Sequence, residues 1–410
     1  MSFENPRGII ELGDINIKCL IFGINNNNIS EILSTSTTAS EGIHNGVIVN
    51  LAKASNAIRL CVGVAEKRAK VSIKKINVVV EQSGFLCTKF SKHRKINGAK
   101  IHKDDIEFLL KEAKKQVILN DDKQSIIHIF NHNYIVDGKT FIEEPIDVYA
   151  DYLSHEMTFV TMPKNYIKNI NQTFIDCDID IERFISSTFA LGVKLFGDNE
   201  LKFGSVLIDV GYEKTSLGIF KNLALVHSLT IPIGVNHVIK DISKVCSLSL
   251  EESRLIIKNI DFSFKDDKNI FDENHYLKDI YFVTTNFRKI SKSLILNVLK
   301  ARIDEIFELI KKQILLIDLN LMIKTGIFLT GGGSNLTNIE YYCSKFFESK
   351  FVKLFNNKKE KKEDSVENFA SCLGALKIIK DGWETEAIPQ QENELNKKTT
   401  FFGKIFGESA

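Results

Sequence analysis

The sequence predicts a mixed α/β fold of two related lobes, with a small α+β subdomain inserted after the opening strands. Two segments have the same plan, a strand, a glycine turn and a second strand: residues 8–24 turn at Gly13, and residues 205–220 turn at Gly211. This repetition indicates two lobes that are built alike. Between them, residues 84–163 alternate helical and strand-like apolar spacing, which is typical of an α+β unit.

Hydrophobic periodicity predicts the remaining elements in order. Apolar residues that recur every three to four positions indicate helices, and runs rich in β-branched residues indicate strands. A turn with a short strand is predicted at residues 42–50. Helices are predicted over residues 51–69, 102–118, 237–259, 287–317 and 369–380. Strands are predicted over residues 71–80, 126–136, 157–162 and 326–330.

The composition narrows the class of protein and of partner. The 54 Lys and Arg residues against 52 Asp and Glu leave a formal charge of +2, so no nucleic acid is expected as a partner. The 7 cysteines include no CxxC or Cys/His cluster, which favours a reducing cytoplasm and argues against a zinc site. The N-terminus does not resemble a signal peptide. No stretch approaches the roughly 20 apolar residues that cross a bilayer, so any membrane contact is expected to be peripheral.

The segment GIFLTGGGSNL, residues 326–336, is the firmest local signal of a binding site. An apolar strand runs directly into Gly331, Gly332 and Gly333, which are followed by Ser334. Glycines allow the backbone to approach a ligand closely and to present N–H groups to anionic oxygens. No GK[ST] follows, so the segment is not a P-loop. A tight strand-to-helix turn without a ligand is the alternative interpretation.

A carboxylate stands beside each of the two glycine turns. Glu11 precedes Gly13, and Asp209 precedes Gly211. A carboxylate in this position can hold Mg²⁺ through water while backbone N–H groups face phosphates. For either residue alone, a solvated turn carboxylate is the alternative interpretation.

Five segments together resemble a known superfamily. IIELGDINIKCLI, GSVLIDVGYEKTSLGIF, IPIGVNHVIKDI, GIFLTGGGSNL and NFASCLGALKI follow the order in which actin-like ATPases place their phosphate, adenosine and connecting motifs. Within that superfamily, GIHNGVIVN, ILNVLKARIDEIFELIKKQI and the inserted subdomain most resemble the FtsA family of bacterial cell-division proteins. The resemblance extends over roughly residues 8–380.

The resemblance implies an actin-like two-lobed fold with ribonuclease H-like lobes. It places the first lobe at residues 1–83, continued by 164–200 and 355–382, and the second lobe at 201–354. The insertion, residues 84–163, is then an SHS2-like subdomain.

The resemblance also implies that ATP and Mg²⁺ bind between the two lobes. It assigns Glu11 and Asp209 to Mg²⁺ through water, and it leaves Glu252 or Lys258 to substitute for the family's adenosine contacts. The nucleotide-binding residues that it implies are Gly13, Asp14, Asn16, Gly211, Thr215, Gly234, His237, Gly331, Gly332, Gly333 and Ser334.

Both phosphate hairpins depart from the family pattern. Asp14 and Asn16 stand where the first hairpin usually has Ser or Thr and then Lys, and Tyr212, Glu213 and Lys214 replace the glycines and the threonine of the second. Acidic side chains near phosphates are repulsive, and lost glycines prevent close backbone approach. We therefore expect nucleotide binding with slow or absent hydrolysis, and no catalytic residue is assigned.

The C-terminus has the sequence of a linker followed by a membrane-targeting segment. Residues 383–396 are acidic and polar, as flexible linkers are. Residues 397–410, here called the tip, place four apolar side chains on one face of a helix with lysines nearby, which suits anionic headgroups. The residues expected to contact the membrane are Phe401, Phe402, Lys404, Ile405 and Phe406. A frayed tail with incidental phenylalanines is the alternative.

The resemblance implies an ATP-binding protein that polymerises on the inner face of the cytoplasmic membrane and anchors FtsZ filaments there at the division septum. Its expected partners are the C-terminal tail of FtsZ, other copies of itself, further division proteins and the membrane surface. A pilus-assembly or shape-determining actin-like protein is the first alternative. A sugar or acetate kinase of the same superfamily is a second.

Overall fold

The computed structural model describes residues 4–24, 30–263, 270–317, 326–349, 352–354 and 366–381. The chain divides into two compact units. The first unit comprises residues 1–203, 220–229 and 357–410, and the second comprises residues 204–219 and 230–356. Within the described ranges, no helix combines the length and the apolarity that a membrane span requires.

The first unit opens with strands that precede and follow one long helix in the sequence. In chain order its first elements are β1 (Glu4–Leu12), β2 (Asn16–Ile24), β3 (Ser30–Ala39), β4 (Ile43–His44), β5 (Val47–Ile48), α1 (Leu51–Ala69) and β6 (Lys75–Val80). Helix α1 begins where the Asn50 side chain accepts a hydrogen bond from the Lys53 N–H at 3.0 Å. Its buried face, which includes Ile58 and Cys61, packs on β2 and β3. The helix ends at Lys70, whose backbone is left-handed.

The inserted subdomain follows directly. It contains β7 (Leu86–Lys100), α2 (Lys103–Asn120), β8 (Gln124–Val136), β9 (Lys139–Phe141) and β10 (Tyr149–Pro163). The four strands form one sheet in the order β7-β10-β8-β9. Helix α2 packs its apolar stripe on this sheet, and Ile106, Leu109, Met157 and Phe159 are among the residues of the shared core. The predicted α+β insertion is thus confirmed.

The rest of the first unit completes its sheet. It contains α3 (Lys164–Ile175), β11 (Asp180–Ser186), α4 (Ser187–Leu195) and α5 (Asp198–Phe203). The sheet order is β11-β6-β1-β2-β3. Strands β1, β6 and β11 are parallel, whereas β1–β2 and β2–β3 are antiparallel.

The second five-stranded sheet has the same topology as the first. Its strands are β12 (Ser205–Val210), β13 (Thr215–Lys221), β14 (Ala224–Ile231), β15 (Gly326–Thr330) and β16 (Val352–Leu354), in the order β14-β13-β12-β15-β16. In both sheets the first strand lies at the centre, the second and third lie on one side, and the fourth and fifth lie on the other. This shared strand order supports the prediction of two related lobes.

The helices of the second unit differ from the prediction in three ways: one predicted helix is divided, the helix predicted over residues 287–317 begins only at Lys292, and the helix Ile339–Phe347 was not predicted. They are α6 (Val235–Cys246), α7 (Leu250–Asn259), α8 (Lys292–Ile317) and α9 (Ile339–Phe347). The helix predicted over 237–259 is two helices, because Ser247 has a left-handed backbone that ends α6 and Ser249 caps the start of α7. In the first unit, the last helix is α10 (Ala370–Asp381), which packs on α4.

Candidate functional site

The glycine loop predicted to bind phosphate lies at the end of β15. Gly331 follows that strand with φ of +83°, a left-handed backbone that favours glycine. A Cβ atom at this position would lie 2.2 Å from the Asp209 Oδ1 atom and 2.6 Å from the Val210 carbonyl oxygen. The fold therefore requires glycine here, because any side chain would collide with the end of the neighbouring strand β12.

The next residues of the loop form a short 3₁₀ turn, Gly332–Asn335. The Ser334 hydroxyl and its N–H both donate to the Gly331 carbonyl, at 2.7 and 3.2 Å. A Cβ at Gly333 would lie 2.3 Å from a Val210 methyl group, whereas a Cβ at Gly332 would have no atom within 4 Å. The first N–H groups of a helical turn have no acceptor inside it. Gly332 thus combines open space with backbone donors that suit an anionic ligand.

Asp209 is adjacent to this loop in space. It is the penultimate residue of β12 and pairs in register with Thr330 of β15, immediately before the loop. Its side chain is half-buried. A carboxylate beside a glycine loop that can receive phosphates is suited to Mg²⁺ coordination through water. The contact predicted for Asp209 fits this position.

The second hairpin turn is hydrogen-bonded to the N-terminus of α6. The Gly211 N–H closes the turn by donating to the Lys214 carbonyl at 2.9 Å. The first N–H groups of α6, those of Val235 and Asn236, donate to the carbonyls of Gly211 and Tyr212 at 3.1 and 2.8 Å. These donors hold the turn in place, so this helix N-terminus is engaged within the protein.

Gly234 has a packing reason to be glycine. A Cβ at Gly234 would lie 2.5 Å from the Tyr212 carbonyl oxygen and 2.6 Å from that of Gly211. The His237 Nδ1 atom accepts a hydrogen bond from the Gly234 N–H at 3.2 Å. The two residues predicted from IPIGVNHVIKDI thus lie together at the start of α6, where both support the helix and the hairpin turn.

Two side chains of the second hairpin are engaged within the protein. The buried Glu213 carboxylate accepts a hydrogen bond from the Asn236 Nδ2 atom at 2.6 Å. The Thr215 hydroxyl, also buried, donates to the Ile233 carbonyl at 2.8 Å. A nucleotide contact through Thr215 stays a prediction. The Glu213 carboxylate already has a neutral partner at the start of α6.

Glu252, one candidate for the adenosine contact, is a buried hydrogen-bond acceptor. Its carboxylate accepts from the N–H groups of Ser249, Thr284 and Thr285 at 2.8–2.9 Å and from the Thr285 hydroxyl at 3.0 Å. Burial favours its neutral form, but the hydrogen bonds outweigh burial and lower the pKa of Glu252 to about 2. The residue therefore fixes residues 284–285 to the start of α7, while Lys258 is exposed.

Replacing Glu252 by alanine is expected to destabilise the second unit. It leaves several buried donors without an acceptor, which costs about 2–3 kcal/mol of the free energy of unfolding. The folded-state pKa lies below the ordinary value of 4.5, so the ionised carboxylate stabilises the native state above about pH 4.5 and this contribution is lost as pH falls towards 2. Urea unfolding at pH 7 and pH 3 measures both effects. Glu251→Ala, at the exposed neighbouring residue, is the control, and equal stability of the two variants at pH 7 would contradict the assignment.

The first hairpin belongs to the first unit. Glu11 and Lys18 are cross-strand partners of β1 and β2, and their side chains form an ion pair at 3.4 Å. The Asp14 carboxylate accepts a hydrogen bond from the Gly46 N–H at 3.0 Å, while the Asn16 side chain is exposed. Asp14 thus ties this turn to the β4–β5 turn. Roles for Glu11 with Mg²⁺, and for Gly13, Asp14 and Asn16 with nucleotide, stay predictions.

The structure also reveals a buried polar cluster that the sequence did not indicate. The Glu81 carboxylate accepts from the Ser186 hydroxyl at 2.7 Å and from the Thr188 N–H at 2.9 Å, at the start of α4. The Ser186 N–H donates to the His128 Nε2 atom of the inserted subdomain at 2.9 Å. Burial lowers the pKa of His128 to about 3, so the ring is neutral.

This cluster lies where ligands commonly bind in α/β proteins. Glu81 follows β6 and Ser186 ends β11, and these parallel strands end at the same edge of the sheet as β1. The carboxyl ends of parallel strands are the usual position of binding sites. A carboxylate directly after the apolar strand KINVVV is the sequence signal that could have identified Glu81.

Within the described part of the chain, no three His, Cys, Asp or Glu side chains are grouped so that they could bind a metal ion directly. Contact of Glu11 or Asp209 with Mg²⁺ through water needs no such group and stays a prediction. Phe401, Phe402, Lys404, Ile405 and Phe406, like the predicted linker, lie outside the described residues.

Two family models match the chain. The model described as cell division protein FtsA matches residues 206–374, which include β12, the glycine loop and the start of α10. The model of the SHS2 domain inserted in FtsA matches residues 86–161, nearly the whole inserted subdomain.

Curated relatives extend the similarity over most of the chain. The cell division protein FtsA of Buchnera aphidicola subsp. Schizaphis graminum is 27% identical over 410 residues, which cover 97% of this chain and 95% of the relative. The cell division protein FtsA of Agrobacterium fabrum is 24% identical over 344 residues, which cover 81% of this chain and 76% of the relative.

Solved structures support the fold. A chain of the PilM–PilN type IV pilus biogenesis complex aligns with a TM-score of 0.60 at 11% identity, covering 90% of this chain and 98% of that one. MreB5 of Spiroplasma citri bound to AMPPNP aligns with a TM-score of 0.52 at 15% identity, covering 92% and 96%. At these identities the likeness concerns the actin-like fold, as predicted.

Proposed function

The chain belongs to the FtsA family of cell-division proteins in the actin-like ATPase superfamily, and on that basis we propose that it binds ATP and anchors FtsZ filaments to the cytoplasmic membrane. In this proposal, ATP-bound copies polymerise on the inner face of the membrane at the division septum. The tip, residues 397–410, holds the membrane, and a surface of the second unit binds the C-terminal tail of FtsZ.

The single observation that supports nucleotide binding best is the contrast between adjacent glycines of the loop. Gly331 and Gly333 are required by packing, whereas a side chain at Gly332 would meet no protein atom within 4 Å. A loop that served only as a turn would not need a glycine at a position with open space around it. In the proposed complex, the N–H groups of this loop bind phosphate oxygens and Asp209 holds Mg²⁺ through water.

Slow hydrolysis is part of the proposal. Mg²⁺, where bound, neutralises phosphate charge. The chain itself supplies no lysine at the position where the first hairpin of the superfamily usually has one, since Asn16 stands there. The Asp14 carboxylate, which accepts a hydrogen bond from the Gly46 N–H, adds negative charge to the first hairpin turn. These residues favour a nucleotide-bound assembly over rapid turnover.

The alternatives differ in what each would bind or convert. A pilus-assembly or shape-determining relative shares the fold, but FtsA is the family whose models match this chain. A small-molecule kinase of the superfamily would release ADP faster when a sugar or acetate is added. Measuring ADP release with and without these substrates distinguishes that class.

The proposal is tested by reconstituting membrane recruitment of FtsZ. Purified full-length chain, FtsZ and anionic liposomes are mixed with ATP, and the liposomes are floated on a density gradient. FtsZ is expected to float only when the chain is present, and FtsZ without its C-terminal tail is expected to remain in solution. If intact FtsZ stays in solution while the chain itself floats, the anchoring function is wrong.

A further inference from the structure

Strand β7 is an open edge of the inserted subdomain. The sheet order β7-β10-β8-β9 gives it one neighbour, and the pairing with β10 extends from Leu86 to Lys100. In an antiparallel pair, alternate backbone N–H and C=O groups of an edge strand point away from the partner strand. Within the described residues, this long outer row has no strand paired to it. Such an edge is a template for another strand.

Positive charge of the subdomain is concentrated on this edge. Residues 84–163 contain eleven Lys and Arg against twelve Asp and Glu, so the subdomain as a whole is nearly neutral. The fifteen residues of β7 include five of those cations and no carboxylate. We call them the basic edge: Lys89, Lys92, Arg94, Lys95 and Lys100. The separation of charge gives β7 a local preference for anions that the net charge of the protein conceals.

Part of the basic edge is already engaged within the subdomain. Arg94 pairs with Asp105 of α2 at 3.1 Å, and Lys100 pairs with the exposed Asp147 at 3.6 Å. In the described part of the chain, Lys89, Lys92 and Lys95 have no carboxylate within 4.0 Å.

The arrangement of the unpaired cations suits a strand. Lys89 and Lys95 lie on one face of β7 together with His93, because side chains two residues apart share a face. All three are exposed, and the Lys95 ammonium lies 5.9 Å from the ring centre of the exposed Tyr152 on β10. A strand added beside β7 with acidic residues at alternate positions would place carboxylates opposite Lys89, His93 and Lys95.

Other occupants fit this edge less well. A second copy of β7 would bring five cations against five cations, and like charges directly opposite one another destabilise strand pairing. A lipid surface would use the charges but not the outer row of backbone groups. Lysines on an edge also discourage pairing with neutral or basic strands. The lysines of β7 therefore favour an acidic partner strand.

We propose that β7 binds an acidic, extended peptide segment of a partner protein by β-strand addition, and that Lys89 and Lys95 form ion pairs with its carboxylates. The backbone row supplies hydrogen bonds that are independent of sequence, and the cations supply the preference for acid. The surface lies on the inserted subdomain, so its use requires neither the glycine loop nor bound nucleotide.

A fluorescent nonapeptide with the sequence Thr-Glu-Val-Glu-Thr-Glu-Val-Glu-Thr is the probe, and fluorescence anisotropy with the full-length chain is the measurement. Saturable binding is expected, weakened at least tenfold by the double substitution Lys89→Glu and Lys95→Glu. The matched control is Lys111→Glu with Lys115→Glu, two exposed lysines of α2 in the same subdomain, which should bind the peptide as the unaltered chain does. Circular dichroism establishes that all three proteins are folded.

A second peptide tests the backbone component. N-methylation of alternate residues removes N–H donors but keeps every carboxylate, so it is expected to abolish binding. Equal binding of the methylated peptide, equal loss in the Lys111 and Lys115 control, or no saturable binding of the first peptide would each overturn the proposal. Binding of the full-length chain to anionic vesicles that the Lys89→Glu and Lys95→Glu substitutions weaken, without binding of the peptide, would overturn it in favour of a lipid surface.

Discussion

Replacing Gly332 by valine is expected to abolish ATP binding and to leave the fold intact. A Cβ at this residue meets no protein atom within 4 Å, so the protein itself can accommodate a side chain. The same open space is where a nucleotide must approach the N–H groups of the loop. A branched side chain there excludes phosphate oxygens from hydrogen-bonding distance of the backbone. The expected result is a loss of affinity of at least a hundredfold.

Two other glycines provide the controls. Gly331→Val is expected to destabilise or unfold the second unit, because its Cβ would lie 2.2 Å from the Asp209 Oδ1 atom at a φ of +83°. Gly63→Val lies in α1, where an added Cβ also meets nothing within 4 Å, and it should neither lower the melting temperature nor change the affinity. Isothermal titration with ATP and Mg²⁺, together with thermal melts, separates the three outcomes. An affinity of Gly332→Val within twofold of the unaltered chain would show that the loop is only a turn.

The sequence predicts best those elements whose apolar pattern is strong and local. The helix over residues 51–69 has the same bounds in the structure, and both strand-turn-strand segments form hairpins at Gly13 and Gly211. Such elements bury one clear face, so their periodicity follows directly from the packing. The repeated hairpin predicted two related lobes, whereas the strand order of the two five-stranded sheets comes from the structure.

Elements with weak patterns were missed for physical reasons. Strand β3 (Ser30–Ala39) is rich in Ser and Thr, and strand β7 has Lys92 and Arg94 between the two apolar residues of its inner face, Phe90 and Ile96. Both strands therefore have too few apolar residues at alternate positions to give the usual strand signature. The break between α6 and α7 depends on the backbone of Ser247, which apolar periodicity does not register.

The residues of the candidate site also differ in how local their sequence signal is. The glycine loop was predictable as a structural element, because close packing at Gly331 and Gly333 selects glycine and the sequence has three in a row, whereas its contact with nucleotide stays a prediction. The roles of Glu81, Glu213 and Glu252 were not predictable, because each depends on donors from distant segments: Ser186 and Thr188, Asn236, and Thr284 and Thr285. A carboxylate in sequence does not reveal whether its partner will be a ligand or the protein's own backbone.

The second large effect is expected at the tip, residues 397–410, which lie outside the described residues. Four large apolar side chains, Phe401, Phe402, Ile405 and Phe406, could each contribute about 1.5–3 kcal/mol if fully buried in the interface. Nearby lysines add about 1 kcal/mol apiece with anionic lipids. Ordering the six residues 401–406, which include Gly403, costs roughly 1–2 kcal/mol per residue.

These opposing terms leave a single copy with weak affinity for membrane. An assembly that presents many tips at once binds far more firmly, because every tip after the first acts at a high effective concentration. Membrane attachment is therefore expected to depend on polymerisation. The intact chain should co-sediment with anionic liposomes when ATP promotes assembly and much less when it is monomeric.

Co-sedimentation of altered chains distinguishes membrane binding by the tip from nonspecific adsorption to liposomes. A chain ending at Asn396 and a Phe402→Glu variant should both remain in solution under assembly conditions, because one lacks the apolar face and the other places a charge on it. Gln391→Glu adds the same charge to the linker and should sediment as the unaltered chain does. If the truncated and Phe402→Glu chains sediment with the intact one, the membrane is held by another part of the molecule. If the intact chain stays in solution while it polymerises, the tip does not bind membrane, since effective concentration would then be at its highest.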